Sequence, residues 1–151
     1  MRHWEVFDDL VRLETMMWNA LDAALLDRCG IGLGAFNALT VVDRASACRV
    51  HDLAVALAIT VGGASQAVDR FEAQGLLLRR PNPANRRSSL LELTSAGLDR
   101  LAAGRDVVDG EIARWLIDPL GDAPAARFAK SLSLLRGAAG TRASGPVDGA
   151  D

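Results

Sequence analysis

Residues 50–94 read VHDLAVALAITVGGASQAVDRFEAQGLLLRRPNPANRRSSLLELT, and the order of patterns along this stretch decides the fold. From Val50 to about Ala58, Leu53, Ala54 and Leu57 recur at helical spacing. Ile59 and Thr60 form a tight turn, with Thr60 placed so that its hydroxyl accepts an orphan backbone N–H of the next helix. That helix covers about Val61 to Gln74, with Val61, Ala64, Val68 and Phe71 on its apolar stripe. Gly75 then supplies a left-handed stop that costs no side-chain strain. Leu76 to Arg80 reads as a strand, Pro81 to Asn85 as a turn, and Ser88 to Leu93 as the returning strand. Thr94 caps a further helix. Two helices across a tight turn, followed by a hairpin, describe a winged helix-turn-helix, a shape that fits one helix into the DNA major groove.

The outer face of the second helix carries the candidate contacts. Gly62 and Gly63 permit close approach to a groove wall, and Ser65, Gln66 and Arg70 can reach base edges or phosphates. Asp69 is placed to orient its neighbour Arg70. Arg79 and Arg80 stand at the base of the hairpin, and Arg86 and Arg87 at its tip. The first pair also reads as simple solvation of an edge strand. The whole chain is mildly acidic, with a net charge of −2 and a pI near 5.7. This does not oppose nucleic-acid binding, because the potential of one face, and not the total charge, sets attraction to phosphates.

With these residues in place, the chain resembles the MarR family of transcriptional regulators. The resemblance rests on RVHDLAVALAIT, VGGASQAVDRFEAQGLLLRRPNP, the NRR tip and LELTSAG, and spans about Leu33 to Leu101. It implies that Ser65, Gln66 and Arg70 are recognition-helix contacts and that Arg87 is the arginine entering the minor groove. The family's tip motif places Asp where this chain has Asn85, so the charge that would pair with the arginine is missing. The resemblance further implies a homodimeric repressor on a pseudo-palindromic operator, released by a small aromatic or anionic effector. Trp18 and Met17 would line the effector site between the first helix and the DNA-binding lobe, with Arg12 as anion partner. The same three residues also read as dimer core and surface charge.

The flanks fit a mainly α protein with a small β-wing. Residues 1–32 form an N-terminal dimerisation helix running from Trp4 to about Leu26 and closed by Cys29-Gly30. Residues 33–94 hold the winged helix-turn-helix, opening with a helix from Leu33 to Val42. Residues 95–136 supply C-terminal dimerisation helices, the first stopped by Pro119. Residues 137–151 are small, polar and Gly/Pro-punctuated, and predict a disordered tail. At 151 residues, half of them hydrophobic, the whole makes one structural domain.

Several function classes lose support. No apolar run approaches the roughly 20 residues that span a bilayer, and a signal-peptide pattern is missing, so a cytoplasmic protein is expected. His3, His51, Cys29 and Cys48 are too scattered for a zinc signature, and no nucleophile-base set or phosphate loop appears. No catalytic residue, metal or cofactor is therefore expected. Two alternatives to an effector-released repressor stay open. One is a winged-helix module that binds proteins; the other is a thiol-based redox sensor using Cys29 or Cys48.

Overall fold

The computed structural model of the chain describes residues 2–143, with side chains from 2 to 140. Helix α1, His3–Cys29, ends where Gly30 turns left-handed at φ 66° and returns its N–H to the Leu26 carbonyl. Helix α2 follows at Leu33–Arg44. Its N-cap residue, Gly32, has no side chain to offer. Asp22 reaches over from α1 instead, its Oδ1 accepting the Leu33 N–H at 2.7 Å. A short strand β1, Cys48–Arg49, leads directly into α3, Val50–Leu57, and α4, Val61–Ala73, succeeds it. Strands β2, Leu77–Pro81, and β3, Ser89–Leu93, form the hairpin, and α5, Ser95–Ile112, leaves it. The sheet order is β1-β3-β2, antiparallel throughout. The expected winged helix-turn-helix is thus present, with two additions. β1 is a third strand, pairing Cys48 with Leu91. The start of α3 is fixed by Asp52, which accepts the Arg49 backbone N–H and both arms of its guanidinium at 2.9–3.0 Å. These bonds from Arg49 hold the Asp52 carboxyl down at about 2.

Leu25, Leu39, Leu53, Val68, Leu77, Leu101 and Cys48 are almost fully buried, so one core joins helices, strands and α5. The tightest point is where α5 begins. Thr94 donates its N–H to the Leu76 carbonyl at 3.1 Å and its hydroxyl to the Gly75 carbonyl at 2.6 Å. That same hydroxyl accepts the Gly97 N–H at 3.0 Å. Gly97 has no room for a side chain, since a Cβ there would come within 1.9 Å of the Leu76 carbonyl oxygen. Further along α5, a Cβ at Gly104 would meet the Phe36 ring at 2.7 Å. Arg105 pairs with Asp43 on α2 at 2.6 Å, and Arg100 donates to the Cys29 carbonyl.

The flanks depart from expectation in three places. The chain divides after Glu111 into two compact units where one domain is expected. In the second unit, a π-helical turn at Ala113–Ile117 runs into a short α6, Asp118–Leu120. Pro119 lies in the first turn of α6, where a missing N–H costs nothing. The break therefore comes later, at Gly121 with φ 78°. Finally, α7 spans Asp122–Ala143, so residues 137–143 are helical where a tail is expected; the remainder of that segment, 144–151, lies outside the described residues. Gly137 and Gly140 each cost a helix about 1 kcal/mol, but Ala138 and Ala139 between them are strong helix formers. Among the described residues no single helix is long and apolar enough to cross a membrane.

Helix α1 buries only Leu21, Leu25 and Cys29. Its earlier turns leave Trp4, Phe7, Leu10 and Val11 exposed. In α7, Leu132, Leu134 and Leu135 are exposed as well.

The Gly97 contact gives a direct test of the packing. Gly97→Ala forces either the Leu76 carbonyl or the start of α5 to move. The variant should lose about 2–3 kcal/mol of unfolding free energy in urea denaturation, in the range of overpacked cores. Stability equal to the parent's would show that α5 does not approach β2 so closely.

Candidate nucleic-acid interface

Helix α4 begins as its sequence dictates, with the Thr60 hydroxyl accepting the Gly63 N–H at 3.0 Å. The chain arrives there through Ala58, which adopts a left-handed φ of 53° and closes α3. Ala64, Ala67, Val68 and Phe71 turn inward and are buried. Gly62, Gln66, Asp69 and Arg70 are exposed on the other face, with Gly63 and Ser65 half-buried. Val61 departs from the expected apolar stripe, standing 50% exposed. A helical side chain covers the surface over the turn preceding its own Cα. As the first residue of α4, Val61 has no such turn beneath it and projects from the helix end.

The hairpin tip is built from two asparagine side chains. Asn82 Oδ1 accepts the Ala84 N–H at 3.0 Å, and Asn82 Nδ2 donates to Ser88 Oγ at 2.9 Å. Asn85 Oδ1 accepts the Arg87 N–H, also at 3.0 Å. These are Asx turns, in which a short amide or carboxylate mimics a backbone carbonyl. An uncharged Asn85 therefore still shapes the tip, and does so through the backbone of Arg87. Both Arg86 and Arg87 side chains are exposed, and neither takes part in an ion pair among the described residues.

The arginines at the wing base stand differently. Arg79 turns back onto α4, with its guanidinium 2.6 Å from Asp69 and 2.5 Å from Glu72. Its backbone N–H also donates to Glu72 at 3.2 Å. Of the expected contact residues, Arg79 is thus the one held away as a clamp between strand and helix. Asp69 is committed to Arg79 and not to its neighbour Arg70. Arg80 pairs across the hairpin with Glu92 at 2.9 Å, both groups remaining exposed. Sequence spacing hides these pairings, because Asp69 and Arg79 lie ten residues apart and meet only when the chain reverses at Gly75.

A cleft of about 750 Å³ opens between α1, α2 and the helix-turn-helix, and Trp18, Asn37, Thr40, Arg44, Arg70 and Phe71 are among its lining residues. Of the three expected effector residues only Trp18 lies on it. Arg12 faces Asp8, one turn earlier on α1, at 2.7 Å, and Met17 is half-buried away from the lining. The cations on this cleft are Arg44 and Arg70, contributed by α2 and α4. Both cysteines are free and buried. Burial pushes the Cys48 thiol up, with the charge of Asp52 adding to the effect. The surroundings of Cys48 therefore do not favour a reactive thiolate.

Residues 30–88 match the sequence model of the MarR family. No curated protein sequence matches the chain. Among solved structures, the chain is similar to a MarR family transcriptional regulator from Streptomyces coelicolor in complex with DNA. The TM-score is 0.83 at 23% identity, covering 98% of this chain and 92% of that one. A mutant MarR from E. coli complexed with operator DNA gives 0.72 at 21% identity, over 89% and 99%. Bordetella bronchiseptica BpsR, whose DNA binding is regulated by 6-hydroxynicotinic acid, gives 0.73 at 24% identity, over 89% and 92%. At such identities the likeness establishes the fold: mostly helical with a small three-stranded antiparallel sheet, the winged helix of this family.

The two kinds of arginine separate by experiment. Arg79→Ala, which leaves Asp69 and Glu72 facing each other without a cation, should lower unfolding free energy by about 1 kcal/mol. Arg86→Ala and Arg87→Ala should stay within about 0.5 kcal/mol of the parent. Equal stability of all three variants in thermal melts would remove the clamp role from Arg79.

Proposed function

We propose that this chain, whose residues 30–88 match the sequence model of the MarR family, is a transcriptional regulator of that kind and not an enzyme: a cytoplasmic homodimeric repressor that binds a pseudo-palindromic operator and leaves it when a small effector binds. One observation carries the DNA-binding part. The exposed polar face of α4 and the two unpaired arginines of the wing tip are held on one rigid junction. In this reading α4 enters the major groove with Gly62, Gly63, Ser65, Gln66 and Arg70 toward the bases and phosphates. The wing sends Arg87, and beside it Arg86, into the flanking minor groove, and Arg80 supplies charge at its base. The outer face of α4 is polar past its first residue, which favours nucleic acid over a protein groove.

The dimer part rests on apolar surface that one chain leaves uncovered. Trp4, Phe7, Leu10 and Val11 on α1 and, separately, Leu132, Leu134 and Leu135 on α7 are exposed. A second copy covering them would set two recognition helices about one DNA turn, roughly 34 Å, apart. The effector part rests on the cleft with Trp18, Phe71, Arg44 and Arg70, whose mix of aromatic walls and cations suits a small aromatic anion. A ligand there would uncouple the protein from DNA by favouring one of two states of the dimer. Thiol sensing is the weaker alternative, given two buried sulfurs.

Binding to duplexes selected from a random pool tests the first part. Parent affinity should fall steeply with salt, and the Arg86→Ala/Arg87→Ala double variant should bind at least tenfold more weakly. Its log–log salt slope should be shallower by about 2, the loss of two phosphate contacts. Unchanged affinity and slope would remove the wing from the interface. Aromatic carboxylates added to the same assay should release the parent, and indifference to all of them would remove the effector.

For the dimer, Leu10→Asp is informative because Leu10 is exposed in the single chain, whereas Leu21 is buried within it. Sedimentation should give a dimer for the parent at micromolar concentration. The variant should be a folded monomer with weakened DNA binding. A monomeric parent that binds DNA with full affinity would contradict the assembly.

A further inference from the structure

Resting on the reading that α4 enters the major groove, we infer that Val61 is a specificity-determining residue that recognises the C5-methyl group of a thymine. The first turn of α4 is Val61-Gly62-Gly63, so past the exposed turn residues Ile59 and Thr60, Val61 carries the one side chain larger than hydrogen among the first three residues of the helix. It is 50% exposed, although its spacing from Ala64 and Val68 would place it in the core. Space around it is open. A Cβ at Gly62 would meet nothing within 4 Å, and one at Gly63 would meet only the Thr60 hydroxyl. A groove wall can therefore come up to the helix end at the two glycines, with the exposed isopropyl group beside it.

The chemistry of that group narrows what it can read. An isopropyl side chain neither donates nor accepts a hydrogen bond, so phosphates and the polar edges of guanine, cytosine and adenine offer it nothing specific. The thymine methyl is the one apolar marker on the major-groove edge. Recognition helices meet base edges with their N-terminal residues, which is where Val61 stands. A β-branched side chain in a helix is held in one strongly preferred rotamer, so its methyls are presented in a fixed direction. The polar readers Ser65, Gln66 and Arg70 lie further along the same helix. Val61 thus adds an apolar position at one end of a polar set.

Replacing thymine with deoxyuridine removes only the methyl group and tests the assignment directly. A duplex selected by the parent protein is remade with each thymine of both half-sites substituted in turn. One thymine per half-site should weaken parent binding by about fourfold, the value of one buried methyl-sized group. Val61→Ala should bind the unmodified duplex more weakly and lose its sensitivity to that one substitution, while keeping the parent's response everywhere else. Val61→Thr, which keeps one methyl in the same branched shape, should retain part of the sensitivity. Thermal melts of both variants should match the parent, since the residue is not in the core. A Val61→Ala protein that pays the full deoxyuridine penalty at every position overturns the assignment, as does a parent indifferent to all of them. A pool that yields no preferred duplex overturns the DNA-binding reading itself, and this inference with it.

Discussion

The carbonyl of Leu76 is the point on which the rest of the winged helix-turn-helix depends. It accepts the Thr94 N–H, and the start of α5 comes so close to it that only glycine fits at position 97. Thr94 adds two more bonds from one hydroxyl, donating to Gly75 and accepting from Gly97. Three events therefore happen at one place: α4 ends, the hairpin closes, and α5 is capped. Arg79 makes a second tie, from the base of β2 to Asp69 and Glu72 on α4. Helix α4 and the wing are consequently tied together at two points. In the proposed complex, which puts a helix in one groove and an arginine in the next, such ties leave little conformational entropy to lose on binding.

The same ties explain why counting arginines misstates the charge that the proposed interface can offer. Four lie between Arg79 and Arg87, yet they do three different things. Arg79 is held by two carboxylates, Arg80 faces Glu92 across the hairpin, and Arg86 and Arg87 extend from the tip without an ion-pair partner among the described residues. The exposed, unpaired charge of the wing is thus concentrated at its tip. Asn85 bears on it through shape: its side-chain oxygen holds the Arg87 backbone, so the tip turn forms without a carboxylate that would partly neutralise the arginine.

Legibility in the sequence followed the range of the interaction. Turn and cap chemistry is local, and Thr60, Gly75 and Thr94 act in the structure as their residue types require. The helix-turn-helix and hairpin could be placed within one or two residues for that reason. Contacts between distant segments were not legible. A two-residue β1 has no period to detect, and Asp22 caps α2 from another helix eleven residues away. Arg79 looked like its neighbours because nothing local distinguishes a guanidinium that folds back from one that projects. Val61 matched the apolar period and still left the core, since a helix's first residue has no preceding turn to lie on. At the C-terminal end, Gly137 and Gly140 suggested a tail, whereas the alanines around them carried α7 on to Ala143.

In the proposed complex α4 and the wing of one subunit address two grooves of the same duplex. Hydroxyl-radical footprinting on a selected duplex tests this most directly, because it reports backbone protection nucleotide by nucleotide. A dyad-symmetric footprint is expected. Two protected minor-groove stretches should flank a pair of major-groove half-sites about 10 base pairs apart, all on one face of the DNA. Protection confined to the major-groove half-sites, or a footprint without the dyad, would contradict it.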